Sequence, residues 1–204
     1  IAAVSCLIQA ISADLNLDRH ALWAEKAAEA EADIVLFNEL SAIGYKYDPI
    51  LRRYAEPMDG PVMQRLHQIA KKNDIIVVAG ICEQDGESEY NTQVVVGPEG
   101  LIGKHRKSAL AGGPENGEIR YFDKGDDYNV FEIKGWKIGI SICFESVHPE
   151  TCGKLAANGA EIILAPYMNG VTPQEIAEGK RPYFSKHAEE NAVLNTAGST
   201  KGAK

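Results

Sequence analysis

The sequence predicts an α/β fold with mixed sheets, and three observations carry that expectation. Apolar strand-like runs alternate with helix-like segments along most of the chain. Two turn signals, Gly97-Pro98-Glu99-Gly100 and Lys134-Gly135, interrupt the alternation with hairpins, so antiparallel pairs are expected beside parallel ones. Third, Trp136 to Glu150 reads as a strand, a break and a helix start. Trp136, Ile138, Ile140 and Ile142 share one face, Lys137, Gly139 and Ser141 the other. The strand then stops at Cys143, and Pro149 stands where its fixed φ suits a first helical turn.

In chain order, residues 2–9 read as a buried strand. Asp18 is the expected N-cap of an Ala- and Glu-rich helix, and DIVLF at 33–37 is a short apolar strand leading straight into Asn38 and Glu39. Gly60-Pro61 opens a second helix that ends in Lys71 and Lys72, as the helix dipole favours. Residues 74–81 form the next strand; Tyr90 to Val96 and Leu101 to Arg106 flank the first hairpin turn, and Asn129 to Ile133 and Lys137 to Ile142 the second. Between the hairpins, 108–127 is rich in Gly and charge and reads as a long loop, a length that is usually functional inside a compact fold. A helix near 149–158, an apolar strand at AEIILAP and a last helix at roughly 182–194 complete the reading. No repeat, low-complexity tract or linker divides the chain, so residues 1–204 are expected to form a single domain.

Composition narrows the function. A net charge of −8 argues against a nucleic-acid surface or an anionic membrane, both of which need clustered Lys and Arg. No run of about 18 apolar residues suggests a membrane span, and the start IAAVSCLIQ lacks a basic leader. Cysteines 6, 82, 143 and 152 form no CxxC pair, and the five histidines show no metal-ligand spacing, so neither a metal nor a cofactor is expected. Cys6 and Cys82 sit inside apolar strand-like runs, which fits reduced core positions and a cytoplasmic location better than disulfides.

Glu39, Lys107 and Cys143 each stand just past the end of a strand candidate, where sites gather in layered α/β folds. Taken singly, such a Glu or Lys is ordinarily a solvated charge, and a free cysteine a small buried hydrophobe. Together they suit acyl chemistry. A cysteine between a strand end and a helix start is surrounded by backbone N–H dipoles, which favours the thiolate. Attack on an amide or nitrile carbon also needs a base and a group to stabilise charge on the oxygen. His105, His148 or a desolvated Glu39 can serve as the base; Lys107 and the backbone N–H of Phe144 can face the oxyanion.

Three segments, FNELSAIGY at 37–45, GKHRK at 103–107 and ISICFESVHPE at 140–150, resemble the signature segments of the nitrilase superfamily of carbon–nitrogen hydrolases, in the same Glu, Lys, Cys order. YNTQVVVGPEGLIGKHRK is similar to the family's hairpin before the lysine, and GEIRYFDKGDD to the loop carrying a second glutamate. The resemblance runs from about residue 3 to at least residue 166. It implies an αββα sandwich of two mixed sheets flanked by helices, with Glu39 as base, Lys107 stabilising the tetrahedral intermediate, Cys143 as nucleophile and Glu118 as the second glutamate. Glu115 is the rival for that last role, but Glu118 has the matching YF spacing behind it. Glu145 and Glu150 read as structural acids near a helix start, and Cys152 as packing. Tyr45, Tyr167 and Met168, on the loops 40–58 and 166–181, are expected pocket-wall residues.

Two positions depart from the family pattern: Asn38 stands where Pro is usual, and His148 where an aromatic residue is usual. The family also continues past the segment RPYFSKHAEENAVLN with further strands, so C-terminal strands are expected to be missing from these 204 residues. The implied function is a thiol-dependent hydrolase of a small amide or carbamoyl compound, in a homodimer or higher homo-oligomer. The alternatives are an N-acyltransferase, a nitrile hydrolase, or a catalytically silent binding domain.

Overall fold

A computed structural model describes residues 1–4, 6, 8–46 and 48–168, and the backbone of a strand at 194–198. Two sheets lie face to face. The first has the order β1 (Ala2–Ala3), β2 (Ile34–Leu36), β3 (Ile76–Asp85), β4 (Ser88–Gly97) and β5 (Gly100–Arg106). Its first three strands are parallel and its last three antiparallel. The second runs β6 (Val130–Ile133), β7 (Trp136–Ile140), β8 (Ile162–Pro166) and β9 (Leu194–Gly198), with an antiparallel hairpin followed by parallel neighbours.

Alternation along the strands builds the layers. Ile34, Leu36, Ile76, Val78 and Val95 of the first sheet meet Ile138, Ile140, Ile142, Ile162 and Leu164 of the second in a dry core between the sheets. The intervening residues Val35, Val77, Ala79, Val94 and Val96 point the other way, against α1 (Ala13–Glu29) and α2 (Pro61–Asn73). On the outer face of the second sheet, Ile163 packs with Cys152 and Leu155 of α3 (Pro149–Ala157). This is the expected αββα sandwich. Each fully buried Leu or Ile contributes about 1.5–3 kcal/mol through removal from water.

Several elements differ from expectation. Of the strand expected over 2–9, the described residues form only Ala2–Ala3, with one further rung from Val4 N–H to Leu36 O at 2.9 Å. Helix α1 begins five residues before Asp18, because Asn16 serves the interior: it exchanges two 2.8 Å bonds with the Gln9 backbone and donates to Ala42 O. The strand expected to end at 81 continues to Asp85 and turns back at Gly86 into β4, a hairpin that the Asp-Gly dipeptide signals. The helix expected at 182–194 falls outside the described residues, except that Leu194 opens β9.

Candidate active site

Glu39 follows β2 on a tight turn, with Leu40 at φ 47°. That turn lies against β3 so closely that a Cβ on Gly80 would stand 2.1 Å from Leu40 N. Glycine is therefore required there for steric reasons alone. Ser41 anchors the turn by accepting from Gly80 N–H at 3.1 Å, and its Oγ lies 2.8 Å from His20 Nε2. His20 Nδ1 must carry the ring proton, since its 2.6 Å partner is a backbone carbonyl, that of Asn16.

Lys107 follows β5 and is wholly buried. Its Nζ lies 2.5 Å from Glu39 Oε1 and 2.8 Å from Glu118 Oε2. Glu118 is held by a reciprocal pair with Ala111, accepting from its N–H at 2.6 Å and donating to its carbonyl at 2.8 Å. Asn91 of β4 completes the cluster, its Nδ2 donating to Glu39 Oε1 at 2.8 Å and to Glu118 Oε1 at 3.2 Å. Among the described residues the buried Glu39 Oε2 makes no hydrogen bond of normal geometry, while the Glu39 carboxylate interacts with the Cys143 thiol.

Cys143 opens a 3-10 turn (Cys143–Val147) after β7, in the left-handed region at φ 47°. Such strain in a residue with a Cβ persists only where the surroundings hold it. Here Ser146 Oγ donates to Cys143 O at 2.7 Å and Ile142 N–H donates to Glu145 Oε2 at 2.5 Å.

The charges are arranged around one burial problem. Burial works against the Lys107 cation, yet Glu39 and Glu118 outweigh it and hold the ammonium charged far above its ordinary range. Burial also raises Glu39, with Lys107 pulling the other way. Burial, then the neighbouring Glu39 charge, pushes the Cys143 thiol well above its ordinary value despite Lys107. The expectation of a resting thiolate is thus overturned: the N–H dipoles do not offset the loss of water, and the thiol is protonated until a base takes its proton.

The cavity at this point, about 260 Å³, is lined by Glu39, Tyr45, Lys46, Lys107, Ala111, Cys143 and Met168. Tyr45 and Met168 therefore reach the pocket as expected. Phe144 and Tyr167 stand outside that lining. The Phe144 ring packs edge-on against His148 at 5.0 Å, and Tyr167 OH meets Ser146 Oγ at 2.5 Å. Of the two candidate histidine bases, His105 is buried against Glu145 and His148 lies beside Phe144 and Glu150. Neither lines the cavity. Glu115 is not among the partners of Lys107, whereas Glu118 is. Among the described residues, no group of three or more His, Cys, Asp or Glu is placed to hold a metal ion, and no helix is long and apolar enough to cross a membrane. All four cysteines are free.

The family model described as carbon–nitrogen hydrolase matches residues 1–188 of the chain. The chain belongs to the carbon–nitrogen hydrolase family. A nitrilase from Pyrococcus abyssi (strain GE5 / Orsay) is 32% identical to it over 170 residues, 81% of this chain and 63% of that protein. A beta-ureidopropionase from Arabidopsis thaliana is 33% identical over 180 residues, 84% of this chain and 43% of that protein. An amidase from Nesterenkonia sp. AN1 shares the fold with a TM-score of 0.83 over 96% of this chain and 76% of that one, at 21% identity. The chain thus spans 43% to 63% of the length of these two curated relatives.

Within this carbon–nitrogen hydrolase sandwich, Asn38 bridges the sheets: its Nδ2 donates to Tyr167 O, just past β8, at 2.9 Å. Sequence reasoning missed Asn91, which stands among the polar residues in the first half of β4 and looks like any of them. It also gave Glu145 too small a part, because a dipole argument explains an acid at a helix start without asking what else it bonds.

Proposed function

We propose that this chain carries the catalytic site of a thiol-dependent hydrolase that cleaves the C–N bond of small amides or carbamoyl compounds through an acyl-cysteine. The observation that supports this reading is the Glu39 carboxylate interacting with the protonated Cys143 thiol while one of its oxygens is taken by Lys107 and Asn91. Glu39 takes the Cys143 proton as sulfur attacks the carbonyl carbon. The carbonyl oxygen becomes an oxyanion facing the Lys107 ammonium, which lines the cavity. The C–N bond breaks as Glu39 returns the proton to the departing nitrogen, leaving a thioester. Water, deprotonated by Glu39, then attacks that thioester, and the carbon–sulfur bond breaks to restore the thiol. Glu118 and Asn91 hold Lys107 and Glu39 in register. Tyr45 and Met168 wall the pocket. The names of the relatives, a nitrilase, an amidase and a ureidopropionase, support a substrate among small amide, carbamoyl or nitrile compounds.

Trapping the thioester tests this. The full chain is incubated with primary amides, ureido acids and nitriles, quenched in acid and digested for peptide mass spectrometry. The expected result is an acyl adduct on Cys143, discharged by hydroxylamine as a hydroxamate and absent from Cys143→Ala. Faster discharge to an amine than to water identifies an acyltransferase. Adducts spread evenly over Cys6, Cys82, Cys143 and Cys152, or none on Cys143 from any compound, overturn the reading.

A further inference from the structure

Glu145 is fully buried, and its carboxylate makes more contacts than a helix-start acid needs. Oε2 accepts from Ile142 N–H at 2.5 Å and from His105 Nε2 at 2.8 Å. Oε1 accepts from Ser108 N–H at 2.7 Å and from Ser108 Oγ at 2.6 Å. The positions matter more than the number. Ile142 immediately precedes Cys143; Ser108 immediately follows Lys107, and His105 stands two residues before it. One carboxylate therefore brackets the nucleophile on one sheet and the cation on the other.

We propose that Glu145, braced by His105, is a positioning residue that sets the distance and orientation between Cys143 and Lys107. The argument is geometric. Lys107 and Glu39 belong to the first sheet and Cys143 to the second, so nothing covalent and local fixes their separation. Apolar packing between sheets is non-directional and tolerates small slides. Hydrogen bonds to a planar carboxylate are directional, and those to a charged acceptor are short and strong. Four donors from two sheets converging on one carboxylate hold the two reacting segments in one geometry. The Ile142 bond also holds the chain at the strained Cys143 turn. The His105 charge completes the brace: burial opposes it, but Glu145 outweighs that and keeps the ring protonated above its ordinary pKa. A neutral Gln at 145 keeps the shape but turns an NH2 group toward two of these donors.

The turnover part of the test rests on the proposed hydrolase reading; the thiol part does not, because it needs no substrate. In Glu145→Gln, kcat on an amide turned over by the wild type is expected to fall about a hundredfold with KM within about threefold, the cost of roughly 1 Å of misplacement. Iodoacetamide labelling of Cys143 in the same variant is expected to slow at least about tenfold, since the sulfur moves away from the Lys107 cation that favours its anion and out of line with Glu39, the base that takes its proton. A merely structural role predicts the opposite sign, because a loosened fold labels faster at Cys6, Cys82, Cys143 and Cys152 alike. Ser108→Ala removes one donor from a half-buried side chain and leaves the His105–Glu145 pair intact; it is expected to fold and to slow both rates about three- to tenfold. Should Glu145→Gln not fold, Ser108→Ala decides alone. Wild-type labelling and wild-type kcat in either folded variant, or faster labelling at all four cysteines, overturn the proposal. Slowed labelling with no turnover by the wild type on any amide leaves the positioning role standing and removes the hydrolase reading instead.

Discussion

Single side chains carry two kinds of work here, and His20 shows the quieter one. It is fully buried, stacks on Phe37 with ring centroids 4.0 Å apart, and links α1 to the turn that follows Glu39. Burial lowers its pKa from the ordinary 6.5 to about 4, so it stays neutral in the fold. The unfolded chain binds a proton there below about pH 6.5 and the folded chain does not until about pH 4. Stability therefore falls as pH drops from 6.5 towards 4, by up to roughly 3 kcal/mol from this group, and is unaffected by it at higher pH. In His20→Gln, urea denaturation at a series of pH values should show a lower stability at pH 7.5 and a shallower decline between pH 6.5 and 4. An undiminished decline would assign the acid sensitivity to other groups. Asn91 is the other kind. Its amide bonds two carboxylates that repel each other, and each is a charged acceptor worth about 1.5–3 kcal/mol. Asn91→Ala should lower kcat about ten- to a hundredfold by freeing Glu39 and Glu118, while Asn91→Asp, which adds a third negative charge, should lower it further. Steady-state kinetics on one amide compares the two.

At the scale of elements, the turn after β2 depends on its neighbour strand having no side chain at one point. A methyl on Gly80 would meet backbone, which cannot swing aside, so Gly80→Ala should displace Glu39 and cost at least about a hundredfold in kcat, with a lowered melting temperature. Full activity in that variant would show that the turn moves freely. How much of this was legible depends on the element. The strand ends beneath Glu39, Lys107 and Cys143 were readable, because a short apolar run that breaks at a polar residue marks both the strand and its exit. The αββα layering and Glu118 became readable through the resemblance, since nothing in an isolated loop from 108 to 127 says which acid turns inward. The start of α1 was not readable, because Asp18 is a good cap and Asn16 a poor helix former, and only the tertiary bonds of Asn16 explain its place. β9 was hidden too: its Asn, Thr and Gly give no apolar run, and parallel pairing with β8 supplies the missing preference. The charge state of Cys143 was misjudged for the same reason, as depth of burial is a property of the assembled layers.

The whole molecule is the frame for a site whose parts come from two sheets. Ile140 lies fully buried between the sheets, and Leu66 fully buried between the first sheet and its helices. Either residue changed to Ala should cost about 2–5 kcal/mol of stability. Only Ile140→Ala should also lower kcat at temperatures where both variants are folded, because it alone lets the two sheets shift against each other. Matched thermal melts and turnover rates decide this, and equal activity in both variants would mean that the polar bridges of Asn38 and Glu145 hold the register unaided. The burial that joins the layers has one more consequence, for life in air. Peroxide and dissolved oxygen oxidise the sulfur anion, the nucleophilic form, and a free cysteine of ordinary pKa is already roughly a tenth ionised at pH 7.5. Burial and the neighbouring Glu39 charge raise the Cys143 thiol above its ordinary value, so it offers less of that form at rest. Left in aerated buffer without reductant, the protein should keep its titratable Cys143 sulfur longer than a small-molecule thiol beside it, ageing slowly on the shelf.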